Sequence, residues 1–131
     1  LKELRYEYKT RFKLVQLIGE NSWKLSDTNF TFLKSKNGME VVSNYADGIG
    51  PWINHIVYGV NFSGKAQISD LVKNARSHNL LIHPYTFRED RLPSYVTSFN
   101  ELLNIFFNEV DVDGVFTDFP DLVKSFLDKK Y

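Results

Sequence analysis

Cysteine is absent, which excludes a disulfide framework, thiolate metal sites and a cysteine nucleophile. Net charge is absent too, since 16 Lys and Arg balance 16 Asp and Glu over 131 residues. A neutral chain has no general electrostatic pull toward nucleic acid or an anionic membrane, a local patch excepted, and nucleic acid is not expected as a partner. No apolar run approaches the roughly 20 residues that a transmembrane segment needs. Signal-peptide pattern, internal repeat and low-complexity stretch are all missing. Hydrophobic residues, by contrast, make up 43% of the chain and aromatics 15%, enough for a packed core rather than a disordered chain. The length suits one domain or part of a larger one. The chain opens on Leu1 inside what reads as a helix, and the expectation is an N-terminally shortened product.

Leu1, Leu4, Tyr8 and Phe12 stand near helical spacing and predict the tail of an amphipathic helix. Residues 13–18 form a short apolar run ended by Gly19, the pattern of a buried strand. Residues 20–37 show no clear period and read as a long loop, residues 38–44 as a short helix. Residues 45–51 predict a brief strand running into a glycine-proline turn, and residues 52–65 a second loop broken by Gly59 and Gly64. Ile68, Leu71, Val72 and Ala75 predict a helix ending near His78 and Asn79, with the next strand at 80–85. Ser98 and Glu101 make a capping box that opens a helix through Leu102, Leu103, Ile105 and Phe106. Residues 114–117 read as the last strand, and Asp118 as the cap of a final helix with Leu122, Val123, Phe126 and Leu127 facing inward.

A helix followed by four strand-helix units implies an α/β chain, with a parallel sheet covered by helices. Four units are half of an eight-unit β/α barrel, which needs about 250 residues. Periodicity alone equally allows an open four-stranded sheet.

Four strings bear on that choice: Leu14-Val15-Gln16-Leu17-Ile18, Tyr45-Ala46-Asp47-Gly48-Ile49-Gly50-Pro51, His83-Pro84-Tyr85-Thr86-Phe87-Arg88, and Gly114-Val115-Phe116-Thr117-Asp118-Phe119-Pro120-Asp121. In this order and spacing they resemble the final four strands of the periplasmic branch of the glycerophosphodiester phosphodiesterases, from about Phe12 to Leu127. The resemblance implies a TIM-type (β/α)8 barrel, of which residues 1–131 supply about the last four strand-helix units as a C-terminal half. It implies hydrolysis of glycerophosphodiesters to an alcohol and glycerol 3-phosphate, in the periplasm or cell envelope. It also implies a catalytic histidine in a His-Arg-Gly string, a second in the following loop, and a divalent metal, calcium in this branch, held by a Glu-x-Asp pair and a further glutamate.

This sequence has no His-Arg-Gly; Glu40 falls in a predicted helix, and Asp111 and Asp113 in the turn before the last strand. The catalytic histidines and metal ligands are therefore expected outside this chain. The expected partners are the substrate and either the missing N-terminal half or a second copy. Two other readings remain: a different barrel phosphodiesterase such as a phospholipase D-like toxin, and an inactive surface-binding module derived from the same family.

Within this half, the resemblance and barrel geometry nominate Gln16, Tyr85, Phe87 and Arg88 as substrate-binding residues. Arg88 offers a guanidinium to phosphate, or else pairs with Glu89, Asp90 or another carboxylate. Tyr85 stands where shorter family members carry a pocket tryptophan, and its hydroxyl is placed to donate to phosphate. Phe87 fits packing as well as the pocket. Gln16 is a polar residue within an apolar strand and needs partners there, structural or functional. His83 reads as a neutral, hydrogen-bonded interior histidine, and His55 and His78 as exposed. Asp47 either points at the pocket or fixes the turn after it. Trp23 and Trp52 fall in loops that would rim the pocket or anchor to the body.

Overall fold

The computed structural model describes residues 1–130. Its order is α1 (Lys2–Tyr6), β1 (Val15–Ile18), α2 (Phe30–Leu33), α3 (Lys36–Ser43), β2 (Gly48–Pro51), β3 (Val57–Val60), β4 (Ala66–Ile68), α4 (Asp70–Ser77), β5 (Leu81–Ile82), α5 (Phe99–Asn104) and α6 (Pro120–Lys130). A π-helix, Ile105–Val110, continues α5, and 3-10 turns occupy Asn21–Trp23 and Ile53–His55. The long loop expected at 20–37 thus contains a turn and a helix, and the loop expected at 52–65 contains a turn and the first strand of the β3–β4 hairpin. Side-chain caps start the short helices: Asn29 Oδ1 accepts from Phe32 N at 3.0 Å, and Ser35 Oγ from Gly38 N at 3.0 Å. A Cβ on Gly38 would lie 2.0 Å from Phe32 O, so only glycine lets α3 follow α2 this closely.

The sheet is parallel, in the order β1-β2-β5, with Val15 opposite Gly48 and Gly48 opposite Leu81. The predicted strand at 114–117 is an extended segment beside the chain after β5, joined by one bridge, Phe87 to Thr117. Phe116 N donates to Pro84 O at 2.9 Å, and Phe87 N to Phe116 O at 2.9 Å. Pro84 has no N–H to give back, which keeps this lane from becoming a continuous ladder. The fold is therefore α/β with a parallel sheet. Each successive lane lies beside the one before it, with a helix between.

The two sheet faces differ. Ile18, Ile49 and Ile82 are fully buried on the face covered by the helices, with Met39, Val42, Ala75 and Leu102 above them in the core. Register places Gln16 in the same row as Ile49 and Ile82. On the opposite face Leu17 is 54% exposed and Leu81 38% exposed, and Phe116 on the fourth lane is 44% exposed. A Cβ on Gly50 would sit 2.6 Å from Leu17 Cδ2, so the glycine leaves room for Leu17 to lie across this face in its present rotamer.

At the amino ends of the strands, Asp47 joins α1 to the sheet. Its Oδ2 accepts from Arg5 Nη2 at 2.7 Å and Leu14 N at 2.8 Å, and its Oδ1 from Lys13 Nζ at 3.3 Å. The hydrogen bond from the Leu14 amide, then the neighbouring cations, hold its carboxyl below the usual range. Asp113 does the same for the fourth lane, accepting from Ile82 N at 2.8 Å and Arg76 Nη1 at 2.7 Å. The capping box forms in modified style. Ser98 Oγ accepts from Glu101 N at 3.1 Å, while Glu101 Oε2 reaches past the cap to Thr97 N at 2.8 Å.

Candidate functional site

A cavity of about 700 Å³ opens at the carboxyl ends of the parallel strands. Trp23 comes from the loop after β1, Trp52 and Tyr58 follow β2, Tyr85, Thr86, Arg88 and residues 91–95 follow β5, and Asp118 follows the fourth lane. Loops at this end of a parallel sheet converge because every strand points the same way, and ligands of α/β proteins bind there.

The structure brings two of the four nominated residues to this cavity, Tyr85 and Arg88. Tyr85 presents its ring, but its hydroxyl donates to Ile18 O at 2.8 Å and is not directed at a ligand. Burial, then the charge of Glu20, pushes that hydroxyl's pKa up. Arg88 donates from Nε and Nη2 to both oxygens of Asp90, at 2.9 and 2.7 Å, and from Nη1 to Asp118 at 2.8 Å. The carboxylate pairing weighed for it in the sequence is thus the one formed. Asp118 is occupied by Arg88, and α6 starts at Pro120 with Phe119 as its flanking residue.

Phe87 is fully buried, with Phe106 edge-on at 4.9 Å between centroids. Gln16 lies on the helix-covered face, where its Oε1 accepts from Tyr45 OH at 2.9 Å and its Nε2 donates to Leu17 O at 2.9 Å. Neither lines the cavity. His83, expected to be hydrogen-bonded, instead packs over Gly114, whose Cβ would fall 2.6 Å from its ring, and its Nδ1 is buried without a partner among the described residues.

A cluster that sequence reasoning missed stands behind the aromatic wall. His55 Nε2 is 2.6 Å from Glu20 Oε1, which also accepts from Lys34 Nζ at 3.0 Å. The His55 side chain is 5% exposed, not the exposed loop residue expected. Burial lowers its pKa more than Glu20 raises it, which favours the neutral ring, and the Glu20 carboxylate beside Nε2 favours the tautomer with the proton there. Hydrogen bonds from Lys34 and His55 hold Glu20 below its usual range. The His55 ring meets Trp52 at 5.5 Å, and Trp52 meets Trp23 at 5.3 Å, both edge-to-face. Glu20, Lys34 and His55 come from three separate segments, and no local motif announces them.

The carboxylates near the cavity are committed: Asp118 to Arg88, Glu20 to Lys34 and His55. Among the described residues, no three His, Cys, Asp or Glu side chains are grouped to hold a metal ion. The described residues here do not fit a divalent cation.

The chain matches the glycerophosphoryl diester phosphodiesterase family over residues 1–122. It belongs to that family. The family is built on a TIM barrel and uses a divalent metal. Among its relatives, a glycerophosphodiester phosphodiesterase of Haemophilus influenzae is 34% identical over 126 residues, which is 88% of this chain and 35% of the relative. One of Treponema pallidum is 30% identical over 139 residues, 98% of this chain and 39% of the relative. One of Arabidopsis thaliana is 33% identical over 120 residues, 87% of this chain and 32% of the relative. The chain thus spans 32% to 39% of the length of these relatives.

Proposed function

We propose that this chain forms the C-terminal half of a (β/α)8 barrel that hydrolyses glycerophosphodiesters to an alcohol and glycerol 3-phosphate. The carrying observation is the cavity at the carboxyl ends of all four parallel lanes, in a chain of a phosphodiesterase family. In this reading residues 1–131 supply the last four strand-helix units. The half-exposed face of Leu17, Leu81 and Phe116 is barrel interior, and the preceding half covers it. The catalytic histidines and the ligands of a divalent cation, calcium by the resemblance of the four strings, lie in that other half.

What this chain contributes is binding and orientation. Trp23, Trp52 and Tyr85 exclude water from one side of the substrate, while Asp90 and Asp118 lock Arg88 and with it the loop after β5. Water adds across the phosphorus–oxygen bond to the alcohol, which leaves as the free hydroxyl. The resemblance further supports a place in the periplasm or cell envelope.

The test is glycerol 3-phosphate release from glycerophosphocholine, measured with calcium and then with EDTA. The chain alone is expected to release none, and adding the separately produced N-terminal half of the barrel should restore release. Metal-dependent release by the chain alone would overturn the division of labour. A continuous protein containing both halves that releases none would overturn the activity.

A further inference from the structure

Two short turns carry the tryptophan wall of the cavity, and a polar cluster joins them from behind. Glu20 opens the turn Asn21–Trp23, and its main-chain O accepts from Trp23 N at 3.1 Å. His55 closes the turn Ile53–His55, its N donating to Trp52 O at 2.8 Å. The 2.6 Å contact between Glu20 Oε1 and His55 Nε2 therefore links the loop after β1 to the loop after β2. Lys34, at the end of α2, adds a third anchor, donating to the same carboxylate oxygen at 3.0 Å. The Trp52 ring meets two others, His55 at 5.5 Å and Trp23 at 5.3 Å, so its place at the cavity depends on the cluster as well as on its fellow tryptophan.

We propose that Glu20 and His55 are positioning residues of this cavity: they tie the two turns together and so hold Trp23 and Trp52 in the wall that a glycerophosphodiester meets. The proposal rests on the phosphodiesterase reading for the identity of that ligand, and on the geometry alone for the tie. That geometry favours the neutral His55 ring. Nε2 faces a carboxylate, while Nδ1 is buried without a partner among the described residues. A further proton on Nδ1 would be a donor without an acceptor in a site closed to solvent. It would also charge a ring whose Nε2 lies 3.5 Å from Lys34 Nζ. Glu20 and Lys34 are the charged groups that act on the ring, from the loop after β1 and the end of α2; from the β4 side the Ser69 hydroxyl donates to His55 O. Protonation of His55 thus requires the tie to open, and the wall loosens with it.

Trp23 and Trp52 are the chain's two tryptophans and both line the cavity, so intrinsic fluorescence reads the wall directly. Acidification from about pH 8 to about pH 5 should change that fluorescence in a transition centred below about pH 6.5, over a range where circular dichroism shows the chain folded. His55→Gln should abolish the transition. Glu20→Gln keeps an acceptor but removes the charge that raises the His55 pKa, and should move the transition to lower pH. In a protein carrying both halves, His55→Gln and Glu20→Ala should each raise the KM for glycerophosphocholine about fivefold at about pH 7.5, the worth of one hydrogen bond, with a smaller change in kcat. Glu20→Gln should recover most of that loss.

Absence of the transition in the wild type overturns the proposal, as does its persistence unchanged in His55→Gln, which would give it to another group. An unchanged KM in both His55→Gln and Glu20→Ala overturns it too, since the cluster would then support the fold and not the wall. Hydrolysis by the wild type together with any of these results sinks this proposal and leaves the phosphodiesterase reading intact. No hydrolysis by the wild type sinks that reading, while the fluorescence transition still judges the tie.

Discussion

Phe87 separates a packing role from a pocket role in one measurement. It follows Tyr85 and Thr86 in the string that resembles a phosphodiesterase strand, yet its ring is fully buried with Phe106 edge-on at 4.9 Å. Phe87→Leu keeps an apolar side chain and removes the ring. A volume-conserving core change costs under about 1.5 kcal/mol, and loss of the edge-to-face pair adds about 0.5–1.5 kcal/mol. The expected destabilisation of Phe87→Leu is therefore about 0.5–3 kcal/mol, against about 3–5 kcal/mol for Phe87→Ala. For Phe87→Leu that is a lowering of Tm by roughly 2–12 °C in a domain of this size. Urea unfolding measures the loss, and tryptophan titration with glycerol 3-phosphate under folding conditions measures affinity. Combining Phe87→Leu with Phe106→Leu should give less than the summed loss, because the second change removes a partner already gone. Weakened ligand affinity at unchanged stability would refute the packing account, as would strict additivity of the two changes.

Asp47 and His55 carry the remaining predictions. Asp47→Asn places an amide group against Arg5 and removes the charge that Arg5 and Lys13 meet; with a quarter of each of Asp47 and Arg5 still exposed, the cost should be about 1–2 kcal/mol. A cycle with Arg5→Gln in urea unfolding should show positive coupling, and independent effects would refute the link between α1 and the sheet. His55 has a lowered folded pKa, so folding excludes a proton that the unfolded chain binds below about pH 6.5. Stability should fall as pH drops from about 6.5 through the lower folded value, by at most about 1.4 kcal/mol per pH unit, and His55→Gln should flatten that slope. The Glu20 contribution, from a lowered carboxylate, is lost only at more acidic pH, so the two windows are separable. An equally steep slope in His55→Gln between pH 7.5 and 5.5 would refute the assignment.

What the sequence made legible depended on how local the deciding force is. The capping box at Ser98 and the stop at Asn79, with its positive φ of 56°, are set within one turn of chain, and both stand where the pattern places them. Strand positions were legible because Ile18, Ile49 and Ile82 need burial whatever surrounds them. The hairpin was not, because Val57-Tyr58-Gly59-Val60 carries a glycine and gains its partner only from Ala66–Ile68. The Glu20–Lys34–His55 cluster joins residues up to 35 apart, so its chemistry exists only in three dimensions.

Gln16 shows the same limit from the other side. Alternation correctly groups it with Leu14 and Ile18, but period two has no sign and cannot say which face is covered by helices. Pairing with Ile49 and Ile82 supplies the sign and turns Gln16 toward Tyr45. The opposite row, Val15 and Leu17 beside Gly48, Gly50 and Leu81, is nevertheless apolar or small and contains no charge. A sheet with one solvated face alternates apolar with polar residues, whereas strands apolar on both faces belong between two covers. The helices of this chain supply one cover. A second cover over Leu17, Leu81 and Phe116 is what the barrel reading requires, and the strand pattern itself argues for it.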